Sequence, residues 1–430
     1  MGKPLKQIGS KVKSVRNNKK DKSKKLLLII GGGIEQIKAY ELAREMGYTV
    51  VGSDQNLKAP ALKLADYRIR ASTRNVVETL GAVKVFERET HKISGVMTLA
   101  NDVPLTVATV AKELNLSGIP IQSAKIASDK ILMKNCLKKS GVSLPPYKEI
   151  FSVADLKRMV KSWGYPLVIK PSDSRGSRGV LRITSKIDPE WAFDYALANS
   201  SNKRVLVEKF IKGIQLSAES FIYKGTCYTA ACSQRNYEYL LRLSPFIIEN
   251  GGVLPANLSK NALTKIDEIL QKCASSLGIK NGTIKGDLIL TKKGPVVIEI
   301  ATRLSGGFLC TDQIPKATGV DLVRQTIKLA MGEKIELSDL KPQNLCSIGV
   351  RYLFPDPGKV TNIKGFKELG TYSWILKKLL YIRKGSIIRP YTDHTRRAGL
   401  VMAIGQNRKQ AQDRVRKAVE SINISTAPLV

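Results

Sequence analysis

The stretch that most constrains this chain is GDLILTKKGPVVIEIATRLSGG, residues 286–307. Two apolar runs flank the turn segment Thr291-Lys292-Lys293-Gly294-Pro295, and Asp287 and Glu299 stand six residues either side of Lys293. A hairpin centred there sets the two carboxylates opposite one another, and the two-residue period of a strand puts both on one face. Acids paired among apolar strand residues repel unless a cation sits between them. Oxygen-only ligands suit Mg²⁺ or Mn²⁺, and Mg²⁺ usually binds nucleotide phosphates as well. Arg303 follows four residues after Glu299, and Ser305-Gly306-Gly307 is a run whose backbone can approach an anion closely. Alone, the segment also fits an edge hairpin with solvated acids; residues upstream weigh against that.

Composition narrows the class. A chain of 430 residues is long for one domain, and 43% hydrophobic residues suffice for a sizeable core. No apolar run approaches the roughly 20 residues of a membrane-spanning helix. Leu26–Ile30 leads at once into glycines, as a buried strand does and a signal-peptide core does not. A cytoplasmic location is the expectation. The six cysteines are scattered without a CxxC pair, which favours thiols in a reducing compartment over a disulfide framework. His91 and His394 are the only histidines, too few for a His-rich zinc site or an obvious Ser-His-Asp triad. The net charge is +35, and residues 1–25 hold ten Lys or Arg against the single acid Asp21. That segment is expected to be a disordered basic tail that suits weak polyanion contact. A generally basic proteome would explain the excess equally well.

After the tail, LLLIIGGG, the helical spacing of 34–47 and the strand YTVVGSD make a βαβ start. A dinucleotide fingerprint would need a third glycine near Gln36, which is missing, although Asp54 stands where a ribose-binding acid would. A structural βαβ unit is the better reading. GVMTLAND and the helix 103–114 complete a small α/β domain over 26–125. From Ser128 the texture changes. A helix over 128–142 has Ser or Asp as cap and Gly141 as terminator, and 152–163 is a second helix. The strand Tyr165-Pro-Leu-Val-Ile-Lys-Pro171 meets a Ser/Gly/Arg-rich loop and a return strand at 179–183. RVLVEKFIKG, a hairpin over 217–231, a helix over 260–277 and the acidic hairpin follow, then a helix over 321–331. Turns join most of these strands, so an antiparallel central sheet is expected over 126–338. A C-terminal lobe over 339–430 ends in a helix from Arg408 to Ile422.

Lys130 opens a helix, and Lys170 ends a strand just before the glycine loop. Two ammonium groups and a loop of exposed amides, with Ser174, Gly176, Ser177 and Gly179, suit a triphosphate. The loop joins two strands and so is not a Walker loop. Either lysine alone reads as a solvated surface residue; beside VIKPSDSRGSRGV that reading weakens. Glu208 and Phe210 leave the next strand through alternating polar and apolar positions, which would let its backbone meet an adenine edge, and Gln215 could bond ribose.

Together these pieces resemble the ATP-grasp superfamily over roughly residues 26–425. The resemblance rests on Asp129-Lys130, VIKP at 168–171, DSRGSRGV at 173–180, VEKFIKG at 207–213 and the Asp287, Glu299, Arg303 set. ENGGVLPANL at 249–258, RLSGG at 303–307, TGVDLVRQTIKLAMGE at 318–333 and RAGLVMAIG at 397–405 look most like ligases that join two amino acids. That likeness implies an α/β ATP-grasp fold: an N-terminal α/β domain, central antiparallel-sheet nucleotide-binding lobes and a C-terminal lobe. It also implies roles. Lys130 and Lys170 would hold phosphates under the Ser172–Gly179 loop, and Glu208, Phe210 and Gln215 would hold adenosine. Asp287 and Glu299 would bind one or two Mg²⁺, Arg303 with Gly306 would hold the substrate carboxylate, and Glu249 would face the amine. Three departures stand out: Gln215 replaces a frequent Glu, Ala301 a frequent Asn, and Gly252 a His found in some dipeptide ligases.

The implied reaction is carboxylate–amine ligation through an acylphosphate, releasing ADP and phosphate. The partners would be a small carboxylate and an amine, amino acids by the same likeness, with monomer and homodimer both open. Two rival readings remain. One is a carboxyphosphate-forming enzyme of purine or biotin-dependent type, against which the run Leu304–Phe308 lacks a Glu-His pair. The other is a non-catalytic basic ATP-binding module, against which the lysines, metal acids and arginine are all present.

Overall fold

The computed structural model describes residues 13–14 and 25–429. The expected disordered tail lies largely outside the described residues; of it, Lys13–Ser14 pair antiparallel with the edge strand Tyr67–Ile69.

The first sheet orders Tyr67–Ile69, Thr49–Ser53, Leu26–Ile30 and Gly95–Met97 in parallel. Leu26–Ile30 is buried at all five positions because both faces are covered. Its odd and even residues enter different cores. Leu27 and Ile29 meet the helix Ile37–Glu45 and the rest of the chain. Leu26, Leu28 and Ile30 join Phe86 and Val110 from the helices Val76–Glu89 and Pro104–Glu113. Asp54 accepts a hydrogen bond from Gly32 N at 2.9 Å, so it braces the glycine turn. That gives the βαβ unit a structural reason for its acid.

A second sheet is antiparallel and orders Tyr147–Ile150, Val205–Lys209, Leu167–Pro171 and Leu181–Ile183. The helices Val153–Trp163 and Pro189–Ala198 pack on it, through a core that includes Leu156, Ile169, Phe193 and Val207.

The largest sheet has eight strands. It runs from Gly294–Ala301 through Gly282–Thr291, Ile214–Tyr223, Thr226–Asn236 and Gly251–Leu254 to Ser347–Leu353, Gly399–Gly405 and Ile375–Leu380. Every pairing within it is antiparallel, as the turn-rich sequence implied. Because Gly251–Leu254 pairs with Ser347–Leu353, the sheet runs through the expected boundary near 338 without a break. Residues from the C-terminal segment therefore sit on the same platform as the acidic hairpin.

Two local expectations need adjusting. The last helix spans Arg408–Glu420, and Asn423–Ala427 is a strand beside Gly358–Lys364. The helices Val76–Glu89 and Pro189–Ala198 are additional to those read from the sequence. Among the described residues, no helix is long and apolar enough to cross a membrane.

Candidate functional site

The three main sheets converge on a cleft of about 660 Å³. At its floor lies the acidic hairpin, where Asp287 pairs directly with Glu299. The turn itself is tighter than the simple centring on Lys293 suggests, since Thr291 pairs with Gly294 and Leu288 with Val297. That register alone would put Ile298 opposite Asp287. A bulge between Asp287 and Leu288 adds one residue to the return strand and brings Glu299 into place. The carbonyl of Ile298 accepts from Lys134 Nζ at 3.1 Å. The bulge thus comes with its own donor, from the helix Lys130–Lys139.

Lys134 is fully buried, and the sequence reading did not single it out. Its ammonium also lies 2.9 Å from Glu208 Oε1, which Lys170 Nζ approaches at 2.7 Å. Burial pushes Lys134 down to about 8, against the opposing pull of Glu208. Burial acts to raise Glu208, but the two lysines hold its carboxyl below the ordinary range. The Glu208 carboxylate pairs with these two lysines at the cleft wall, where Phe210 and Gln215 also stand. Arg182 stacks over the Phe210 ring at 5.2 Å.

Lys130 and Lys170 both line the cleft. Asp129 caps the helix through bonds to Ile131 N at 2.8 Å and Leu132 N at 2.9 Å. That cap fixes Lys130 at the first turn, where its ammonium donates to Ser174 O and lies 3.4 Å from Glu299 Oε1. The loop after Pro171 carries Gly176, Ser177 and Gly179 at φ of 62°, 62° and 73°. Ser177 is the costly one, since a side chain there disfavours the left-handed region. It is held by His394: Gly176 O accepts from His394 N at 3.0 Å, and Ser177 Oγ lies 3.1 Å from His394 Nε2. Ser174 Oγ donates to Arg178 O at 2.8 Å.

His394, set aside in the sequence, is therefore a site residue. Glu249 N donates to the same Nε2 at 3.3 Å, so this nitrogen is an acceptor and the ring is neutral. Burial, with Arg397 and Arg235 nearby, drives the His394 pKa well below its usual value.

At the far end, Arg303 Nε donates to Asp102 Oδ1 at 2.7 Å, reaching across to the first domain. Burial opposes the charge on Asp102, yet Arg303 holds its pKa at about 2. Arg175, from the glycine loop, stands 3.8 Å from the other Asp102 oxygen. The Ser305-Gly306-Gly307 turn is braced from beneath by fully buried Glu219, which accepts from Ser305 Oγ, Ser305 N and Cys310 Sγ. Glu35, from the turn after Leu26–Ile30, accepts from Gly307 N at 2.7 Å. A Cβ on Gly306 would overlap Glu35 Oε2, so a larger residue there would displace the Glu35 carboxylate. Glu249, expected to face an amine, lines the cleft and stands 3.7 Å from Arg235 and 3.8 Å from Arg397. Gly252 lines the cleft, and a Cβ there would lie 2.6 Å from Gln234 O, which leaves no room for a larger side chain.

Asp287 Oδ1 is buried and has no aligned hydrogen-bond donor, although Arg235 Nη2 lies 3.0 Å away. Burial favours the neutral Asp287 carboxyl, but Arg235 and Lys285 hold its pKa low. Among the described residues, no group of three or more His, Cys, Asp or Glu could enclose an ion. Two acids open to a cleft rich in lysine and arginine fit a metal that keeps water and phosphate ligands, and so fit Mg²⁺.

Comparisons with known proteins agree with this arrangement. A family described as ATP-grasp domain matches residues 127–307, and one described as L-amino acid ligase C-terminal domain 2 matches residues 351–427. The uncharacterized protein y4rH of Sinorhizobium fredii is 27% identical, over 84% of this chain and 73% of its own length. The carbamoyl phosphate synthase large chain of Caldanaerobacter subterraneus is 24% identical over 59% of this chain, which spans only 23% of that protein. Among solved structures, the L-amino acid ligase from Bacillus licheniformis superposes with a TM-score of 0.80 at 21% identity, covering 94% of this chain and 99% of its own. That likeness concerns the fold.

Proposed function

From the premise that this chain belongs to the ATP-grasp superfamily, in its carboxylate–amine ligase branch, we propose that it joins a small carboxylate to an amine at the expense of ATP. The observation that carries the reading is the bulged hairpin: it sets Asp287 against Glu299 at the floor of a cleft that Lys130, Lys170 and Arg303 also line. In this reading the nucleotide lies between the second sheet and the hairpin. Phe210 and Gln215 face adenosine, and Lys130 and Lys170 neutralise phosphate oxygens. The amides of Ser174, Gly176, Ser177 and Gly179 close over them. Asp287 and Glu299 would hold one or two Mg²⁺, which supply charge neutralisation at the transferred phosphoryl group.

Phosphoryl transfer asks little covalent chemistry of a protein, so positioning and fixed charge supply the catalysis. The substrate carboxylate attacks the γ-phosphoryl group, giving an acylphosphate and ADP. The amine then displaces phosphate. Arg303 is a fixed, always-charged fork beside Gly306, placed to grip the carboxylate and then the oxyanion that forms when the amine attacks. Glu219 beneath the loop keeps Ser305 and Gly306 from shifting as that charge develops. Amino acids are the proposed substrates, and the C-terminal family match supports them.

The test is phosphate and ADP release with Mg·ATP against amino acids and small acids, singly and in pairs, with bicarbonate as a separate arm. Release that needs an acid together with an amine supports ligation. Release driven by bicarbonate alone would move the assignment to carboxyphosphate chemistry, and AMP as the stoichiometric product would overturn the acylphosphate route.

A further inference from the structure

Six carboxylates line the cleft: Glu35, Asp102, Glu208, Glu249, Asp287 and Glu299. Five of them stand within 4 Å of a lysine or arginine. Among the described residues, Glu35 alone has no such partner. One of its oxygens takes the Gly307 amide at 2.7 Å, and the other lies over Gly306. An amine-facing role was expected of Glu249, but that carboxylate is shared between two arginines.

We propose that Glu35 receives the ammonium group of the amine substrate and takes the proton that must leave before nitrogen can attack. This rests on the ligase reading above and assigns its second half-reaction. Placement is the first argument. Glu35 reaches the cleft from the carboxyl end of the parallel strand Leu26–Ile30, where ligands gather in such sheets. There it touches the loop that follows Arg303, so an amine bound to it would sit beside the carboxylate that Arg303 holds.

Environment is the second. Burial raises the Glu35 pKa, and the Gly307 bond, Arg303 and Arg397 only partly offset that. Tyr352 and Tyr381 are the other titratable groups facing it, and burial pushes both phenols up, so they stay neutral near pH 7. A carboxylate raised in this way is a better base than an exposed one.

The atoms balance. Glu35 takes one ammonium proton, and the freed lone pair forms the C–N bond to the acyl carbon. The C–O bond to the phosphoryl group breaks with its electrons passing to phosphate. The second nitrogen proton leaves with that phosphate, and Glu35 returns its own to solvent.

The test compares Glu35→Gln with the wild type in two assays on the full chain. One follows amide formation from a mixture of the twenty common amino acids. The other replaces the amine with hydroxylamine, which is largely unprotonated near neutral pH and needs no base. Thermal melting and Mg·ATP binding serve as folding controls. The expected result is loss of amide formation by about 10²-fold or more, with hydroxamate formation and both controls near wild type. The acidic limb of the wild-type pH–rate profile should also vanish in the variant. Amide formation at the wild-type rate would overturn the inference, and so would equal loss of amide and hydroxamate in a folded variant. If the wild type forms neither product with any amino acid, the ligase reading falls, and this assignment falls with it.

Discussion

The two ends of the cleft are built differently. In the proposed reading, the nucleotide end comes mostly from consecutive motifs of one region: Asp129-Lys130, Lys170, the glycine loop, and the hairpin carrying Asp287 and Glu299. The substrate end is assembled from the whole chain. Glu35 and Asp102 come from the first domain, Arg235 and Arg303 from the middle, and His394 and Arg397 from the last segment. A site that handles a constant molecule can be local. One that must accept a particular acid and amine collects residues from wherever the fold delivers them.

If that division is right, removing a metal acid should have the largest effect. Asp287→Asn is expected to cut turnover by at least about 10³, because a metal-bound phosphoryl group draws several kcal/mol of stabilisation from the ion. Mg·ATP binding, followed calorimetrically, should weaken in parallel. Normal Mg·ATP affinity in that variant would remove Asp287 from the metal set.

Lys134 tests the support under that end. Lys134→Met strips the donor from the Ile298 bulge and leaves buried Glu208 with Lys170 alone. Because Lys170 still faces Glu208, the loss should fall below the roughly 3–5 kcal/mol of a buried charge left unpaired, readable as a lower urea midpoint. A single variant as stable as wild type would show that the bulge does not depend on Lys134.

Arg303 probes the other end. Arg303→Met is expected to lose about 10²–10³ in turnover, with nucleotide affinity nearly unchanged. The competing outcome is structural: Arg303 serves chiefly to neutralise Asp102. In that case melting temperature would fall while turnover at saturating substrates held.

A smaller effect belongs to the contact between the glycine loop and the C-terminal segment. His394 is neutral because its Nε2 accepts from Glu249 N and faces Ser177 Oγ. Its pKa in the folded protein lies well below 6.5. The unfolded chain therefore binds the proton first, and stability is full above about pH 6.5 and falls as pH drops below it. The slope from one such group is at most about 1.4 kcal/mol per pH unit. His394→Asn should flatten the decline of the melting temperature between pH 7 and 5, and an unchanged slope would place the sensitivity elsewhere. Least of all should matter the removal of residues 1–24, which stops short of Lys25, whose carbonyl accepts from Thr49 N at 3.1 Å. Turnover should persist, and retention on a polyanion should become less salt-sensitive.

How much was legible in the sequence follows the same division. The acidic pair could be named because hairpin geometry converts spacing into proximity, even though the bulge that completes it leaves no mark of its own. Strand and helix types came through wherever apolar periodicity was strong, as in Leu26–Ile30 and Lys260–Ser276. Lys134 left a usable trace, four residues after Lys130 and so on the same helix face. A charge on an otherwise buried face marks either a ligand or a buried pair, and here it is the pair. Glu35 and Asp102 stand just beyond neighbouring parallel strands, and the rule that ligands bind at those carboxyl ends would have flagged both. His394 gave no comparable sign, and Arg397 showed only as the first residue of RAGLVMAIG, with no role attached. They reach the cleft because one antiparallel sheet continues from Gly251–Leu254 into Ser347–Leu353 and Gly399–Gly405, a pairing that depends on contacts far apart in the chain.

The central claim is that a carboxylate is activated by phosphorylation before an amine takes its place. Its most direct test follows oxygen. The acid found to drive phosphate release would be supplied with heavy oxygen in its carboxylate, and the phosphate analysed by mass spectrometry after one turnover with Mg·ATP and the amine. Activation through an acylphosphate predicts one labelled oxygen in each phosphate released, with ADP as the nucleotide product. Unlabelled phosphate, or label recovered in AMP, would contradict it.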